Sequence, residues 1–388
     1  MRVDYTSSFW RTRQLSEHIK GSAPSVFVGR MGYPKVLVGI LTPPDVTGDA
    51  WLYDAPRHWA VQNYAIPSLL ELRGSLVNSR FSCGVMEQNM FSEVCQEVGL
   101  ASKPVGVELE MEQAPKQAMS FFKEAAPFGP VGQLKSAILT ENPHIARPVD
   151  KVYSDSDLKA TEAIVYLYKK GFDEAFLTKL FSIGGMGLAY QRKLVPTRWT
   201  ITAVDDTLGK SIIEEIKNYP DHDCTAFYGS YLGNYYLILF LSGIWSYELF
   251  ECPVSDGKII HVSTDYEGYD GRKSYAQECA GGYYTVRLAA AEKLYAAKRQ
   301  AKVLAIRLVT HEYTHPMGVW VTREATRKAL ASQPVTFSSP ELALRYAEAK
   351  IKKYFGVDVT PLLKKSSLVR EQKEQKTLGS YFSQVKIQ

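Results

Sequence analysis

Apolar residues recur along this chain with one of two periods, and each period predicts an element. Val105, Val107, Leu109 and Met111 alternate with smaller or charged neighbours, which predicts a strand with one face buried. SVFVG and KVLVGIL flank RMGYP, where Gly32 and Pro34 supply turn chemistry, predicting a hairpin with Arg30 and Tyr33 at its tip. Pro67 ahead of SLLELRGSL predicts a short helix opening on proline. Helical spacing continues through SDLKATEAIVYLYKKG, which stops at Gly171, and through FDEAFLTKLF. Trp199 to Val204 reads as a strand and Thr207 to Asn218 as a helix. Thr225 to His261 reads as three or four strands, and Lys302 to Val309 as another. Tyr284, Leu288, Ala291 and Tyr295 share one face of a helix over residues 283–298, and Ser339-Pro340 opens the last helix.

This order is mixed rather than alternating, so the expected class is α+β: a mixed, largely antiparallel sheet with packed helices. At 388 residues two intimately associated lobes are expected. Residues 125–148 look loop-like, which sets lobes at 1–135 and 136–362, followed by a flexible tail at 363–388 whose polar run KKSSLVREQKEQK lacks the material of a core. Thr225 to Tyr247 carries no charge, but Gly229, Gly233, Asn234 and Gly243 interrupt it. Buried antiparallel strands fit that better than a membrane span.

Composition narrows the class. With 45% hydrophobic and 22% charged residues, global disorder is excluded. Five scattered cysteines without a C-x-x-C pair point to a reducing compartment and away from a zinc ribbon. The start, MRVDYTSSFWRTRQ, shows no apolar signal core, so a cytoplasmic location is expected. Net charge is +5, yet the tail from Leu363 holds six basic against two acidic residues, leaving 40 and 39 in the body. A nearly neutral body excludes coating nucleic acid by phosphate contact alone; any contact there needs a local patch.

His311-Glu312-Tyr313-Thr314-His315 fits H-E-x-x-H, but a strand leads in and Pro316 follows, so the helix such a zinc site needs is not expected, nor is zinc. SIGGMG lacks the Lys-Ser/Thr of a P-loop and reads as a connector, and the acidic run from Asp265 breaks the EF-hand pattern. Asp205, Asp206, Asp265, Glu267 and Asp270 flank predicted strands. Such carboxylates either converge on Mg²⁺ for phosphoryl transfer or simply occupy turns. Arg192, Lys193 and Arg198 stand beside Trp199, a combination able to hold a phosphate and stack a base, or to form a solvated loop. Arg30, Tyr33, Arg192 and Trp199 are thus the candidate nucleic-acid contacts, and Asp205, Asp265, Glu267, Lys193 and Arg198 the candidate catalytic groups. No metal ligand set is assigned.

The C-terminus carries Gln375, Leu378, Tyr381 and Phe382. One helical turn would place Leu378, Tyr381 and Phe382 at i, i+3 and i+4 as a three-pronged apolar plug. The segment resembles the sliding-clamp (PCNA) interacting peptide Q-x-x-[ILM]-x-x-[FY]-[FY] at every defined position. SVFVGRMGYPKVLVG, GDAWLYDAPRHW, KLVPTRWTITAVDD and MGVWVTREATRKAL together resemble the archaeal Nre family of DNA-repair proteins, whose members also end in a clamp-binding peptide. The resemblance implies DNA-damage repair with the sliding clamp and DNA as partners; it implies no reaction. Some members carry an N-terminal cysteine zinc motif, whereas the first cysteine here is Cys83. Two functions fit: a clamp-recruited repair protein acting on damaged DNA or nucleotides, or a non-catalytic adaptor recognising a damage structure or another repair protein.

Overall fold

The computed structural model describes residues 15–374. The chain divides into two compact units, Met1–Leu208 with Thr314–Val321 and Gly209–Tyr313 with Thr322–Gln388. Each contains helices and a mixed sheet, so the class is α+β as expected.

In the first unit β1 (His18–Ala23), β2 (Ser25–Val28), β3 (Lys35–Thr42), β4 (Val77–Gly84), β5 (Val105–Met111) and β6 (Val131–Leu139) form one sheet in the order β1-β5-β6-β4-β3-β2. Only β4 and β6 run parallel. The alternation seen in sequence is what buries Val105, Val107, Leu109 and Met111 on β5 and Val36, Val38 and Ile40 on β3. Helices α1 (Pro56–Val61), α2 (Ile66–Gly74), α3 (Met90–Leu100), α4 (Arg147–Ser154), α5 (Ala160–Lys169) and α6 (Glu174–Ser182) complete the unit, with the start of α7 (Thr197–Ile216). Buried Arg73 on α2 donates to the carbonyls of Tyr53 and Pro127 and pairs with Asp54 at 2.7 Å, tying two loops to the helix.

Two expectations need correction here. Residues 125–148 are not a loop, and the boundary expected after residue 135 falls inside β6. Gly132 hid that strand: a Cβ there would lie 1.9 Å from the Met111 sulfur, so the core position holds glycine, and the register shift at Glu110/Met111 breaks the period as well. Trp199–Val204 is not a strand but the first turns of α7. Its Thr and Ile residues favour a strand locally; burial of Thr200, Val204 and Leu208, four residues apart, favours a helix and wins.

In the second unit β7 (Thr225–Tyr231), β8 (Asn234–Leu241), β9 (Ser246–Ser255), β10 (Lys258–Ile259), β11 (Ser263–Glu267), β12 (Lys302–Val309) and β13 (Val335–Thr336) form a sheet in the order β10-β9-β12-β8-β7-β13, with β11 on β9. α8 (Ala280–Ala297), α9 (Trp320–Ala331), α10 (Pro340–Phe355), α11 (Thr360–Lys365) and α12 (Ser367–Glu374) accompany it. The uncharged run 225–247 is β7, β8 and the start of β9. β8 lies between β7 and β12, with Leu237, Leu239 and Leu241 buried in one cluster with α10–α12. On the opposite face Tyr247 packs on Tyr283 of α8, ring centroids 4.9 Å apart. Burial on both faces explains why no charge is tolerated there.

The tail expected from residue 363 also starts too early. Leu363, Leu368 and Val369 are buried, and α11 and α12 belong to the core cluster of this unit. These few apolar residues on two short helices suffice, because the sheet supplies the rest of the core.

Candidate nucleic-acid interface

The β2–β3 hairpin projects residues 30–35 from the first unit. Gly29 donates its N–H to Leu37 at 2.7 Å and Lys35 donates to Gly32 at 2.9 Å, closing the turn. Gly32 sits at φ +82°, a conformation L residues rarely adopt. The turn leaves Arg30, Met31 and Tyr33 on the surface.

The start of α7 is fastened to the same hairpin. The Val28 N–H donates to the Thr197 hydroxyl at 2.9 Å, and Ser182 of α6 shares a hydrogen bond with Thr200 at 2.8 Å. This anchorage brings Trp199 to Tyr33, ring centroids 5.2 Å apart and tilted by 53°. Both rings stay accessible, Trp199 at 45% and Tyr33 at 40%. Residues 166 positions apart in sequence thus make one exposed aromatic pair, and Arg30 on the same hairpin has no ion-pair partner among the described residues. Hydrophobic rings left in water beside a free cation form a surface suited to stacking a base and attracting a phosphate.

The other basic candidates divide. Arg192 is consumed structurally: it donates to the carbonyls of Gly187, Val152, Tyr153 and Asp155 at 2.5 to 3.3 Å, closing the C-terminal end of α4. Arg198 is held in a close ion pair by Glu124, a partner that sequence spacing gave no means of finding. Lys193 is exposed and has no ion-pair partner among the described residues.

Asp205 and Asp206 lie in the interior of α7 rather than in a turn, and Asp205 is buried. In the second unit Asp265 accepts from the backbone N–H groups of Gln277, Glu278 and Cys279 at 2.7 to 3.1 Å and pairs with Arg272 at 2.6 Å. Both its oxygens are occupied at the entrance to α8, where the helix dipole favours an anion. Glu267, 2% exposed, takes Arg287 at 2.9 Å and the Trp245 indole N–H at 3.2 Å. Neither carboxylate has the free oxygens a magnesium site requires, and among the described residues no three His, Cys, Asp or Glu side chains converge to hold a metal ion. Asp270 is an exposed turn residue.

β12 ends at Val309 and no helix follows until Trp320, so H-E-x-x-H lacks the helix that would align its histidines. Gln375, Leu378, Tyr381 and Phe382 lie outside the described residues.

No solved structure matches this two-unit α+β chain. The chain belongs to the archaeal Nre family. Residues 3–256 match Archaeal Nre, N-terminal, and residues 267–381 match Archaeal Nre, C-terminal. It is 39% identical over 366 residues to the DNA repair protein NreB of Archaeoglobus fulgidus, which covers 93% of this chain and 90% of that protein. Its identity to the DNA repair protein NreA of Haloferax volcanii is 34% over 379 residues, covering 94% and 89%. To NreA of Archaeoglobus fulgidus it is 38% over 343 residues, covering 85% and 84%. No helix among the described residues is long and apolar enough to cross a membrane.

Proposed function

We propose that this chain works in DNA repair, recruited to DNA by the sliding clamp (PCNA) through residues 375–382 and contacting unpaired bases through Tyr33 and Trp199. The observation that carries the DNA contact is the exposed aromatic pair, fixed by the Val28–Thr197 hydrogen bond, beside uncompensated Arg30. A stacked base in a duplex offers no face to such a pair, so single-stranded or extrahelical DNA is the preferred ligand. The relatives' names and the clamp-type pattern support the setting; a cytoplasmic location is in keeping with it.

The engagement of Asp265 and Glu267 favours a second reading over metal-dependent phosphoryl transfer: a non-catalytic adaptor that recognises a damage structure while tethered to the clamp. Anisotropy titrations with labelled single-stranded and duplex oligonucleotides test the DNA contact. Tighter single-strand binding, with quenching of Trp199 emission, is expected. Equal affinity for both forms, or no change when Tyr33 and Trp199 are replaced together, would remove the aromatic pair from the function.

A further inference from the structure

β4 and β6 pair only over Asn78 to Arg80 and Val131 to Gln133. The next residues, Phe81 and Leu134, take other partners, Val38 on β3 and Met111 on β5, so the two strands part there. A cavity of about 410 Å³ opens at this point, closed on one side by the start of α3. Phe81, Leu134, Met90 and Phe91 give it apolar walls, with the two phenyl rings 5.3 Å apart and tilted by 54°. Its floor is fixed. Asn89 accepts the Ser92 N–H at 2.9 Å while the Ser92 hydroxyl accepts the Asn89 N–H at 2.8 Å, a capping box that holds the first turn of α3 in place.

The remaining lining groups are polar and neutral. Ser82 and Gln133 are exposed, and neither side chain makes a hydrogen bond among the described residues. A hydroxyl and a primary amide each donate and accept, so together they suit a ligand edge that presents both kinds of group. None of the described residues lining the cavity is charged, which disfavours an ion as its occupant. Arg80, opposite Gln133 in the ladder and two residues before Ser82, shares their face of the sheet and makes no ion pair among the described residues. Aromatic walls, a neutral hydrogen-bonding edge and a cation beside them match a nucleotide, with its base inside and its phosphate outside. We propose that this cavity is a nucleobase pocket, which takes one extrahelical base of the DNA while Tyr33 and Trp199 stack on its neighbours. The inference rests on the DNA contact proposed above and names where the displaced base goes. Ser82 pairs with Leu37, which is four residues from Tyr33 and so at most about 14 Å from it.

Photocrosslinking of the full chain to a duplex carrying one unpaired 4-thiothymine locates the base. The crosslinked peptide is expected to span residues 81–91, with adducts on Phe81, Met90 or Phe91, and a fully paired duplex should give none there. Ser82→Trp, at an exposed position, fills the cavity and should abolish this crosslink while leaving any at Tyr33 and Trp199. Gln133→Ala removes one neutral hydrogen bond to the base edge and should weaken binding of the same duplex by about two- to tenfold; should Ser82→Trp lower the melting temperature, this variant alone decides. Crosslinks confined to Tyr33 and Trp199, or undiminished at residues 81–91 in a folded Ser82→Trp protein, overturn the pocket and leave the surface contact standing. A wild-type chain that binds no DNA in any form sinks the surface contact as well.

Discussion

Ion pairs on the two sheets are handled in opposite ways. On the first sheet Lys20 pairs with Glu108 at 2.7 Å and Lys135 with Glu110 at 2.6 Å, with three of the four side chains about half or more exposed. In the second unit Glu267–Arg287, Arg307–Glu251 and Asp265–Arg272 are pulled into the interior and supported by an indole donor, an amide oxygen that accepts from Arg307, and backbone donors respectively. Solvated pairs contribute little, while a buried pair becomes indispensable because either half alone is an uncompensated charge. A carboxylate that looks catalytic in sequence is therefore structural when the fold supplies an arginine. The surface proposed for DNA contact is instead the exposed Tyr33–Trp199 pair on the hairpin that carries Arg30.

Breaking the buried pair gives the largest expected effect. Glu267→Ala or Arg287→Met should destabilise the protein by about 3–5 kcal/mol in urea unfolding, whereas replacing both with apolar residues should recover much of the loss. A fully stable Glu267→Ala protein would reopen a catalytic role for that carboxylate.

The first unit also buries charges, Arg73 with Asp54 among them, and buried Lys179 provides the next prediction. Lys179 on α6 is buried, donates to the Ala101 carbonyl at 2.9 Å, and burial pushes its pKa from 10.5 down to about 8 against the opposing pull of Asp54 and Asp173. Between those two values the unfolded chain holds a proton that the folded chain has released. Stability therefore rises with pH across that window, by up to about 3 kcal/mol. Measured as wild type minus Lys179→Met, the difference should climb from pH 7.5 to 10; a flat difference would mean the ammonium is well solvated.

Smaller effects belong to the surface. Tyr33→Ala with Trp199→Ala should weaken single-stranded DNA binding by about 1–3 kcal/mol per stacked base while leaving the melting temperature nearly unchanged. Arg30→Ala should lower affinity less and reduce the salt slope by about one. The smallest change is expected from Lys20→Ala, whose ion pair with Glu108 lies in solvent: thermal melting should barely move. A clear shift there would show that the two units differ less than their burial suggests.

Local pattern determined much of this protein. The hairpin with Arg30 and Tyr33 at its tip, the buried alternation of β5, the helix opening at Ser339-Pro340 and the paired strands of the uncharged run all follow from period and turn chemistry within a few residues. Tertiary structure decided the rest. It made a helix of Trp199–Val204, a strand of the segment around Gly132 and packed helices of residues 360–374, because in each the partner that buries the apolar side lies far along the chain. The fate of each charge was decided the same way: Arg192 met carbonyls, Glu267 met Arg287, and Arg30 met neither. Sequence specifies which groups are able to ionise, but the free energy of a charge depends on what surrounds it, and those surroundings exist only after distant segments have packed.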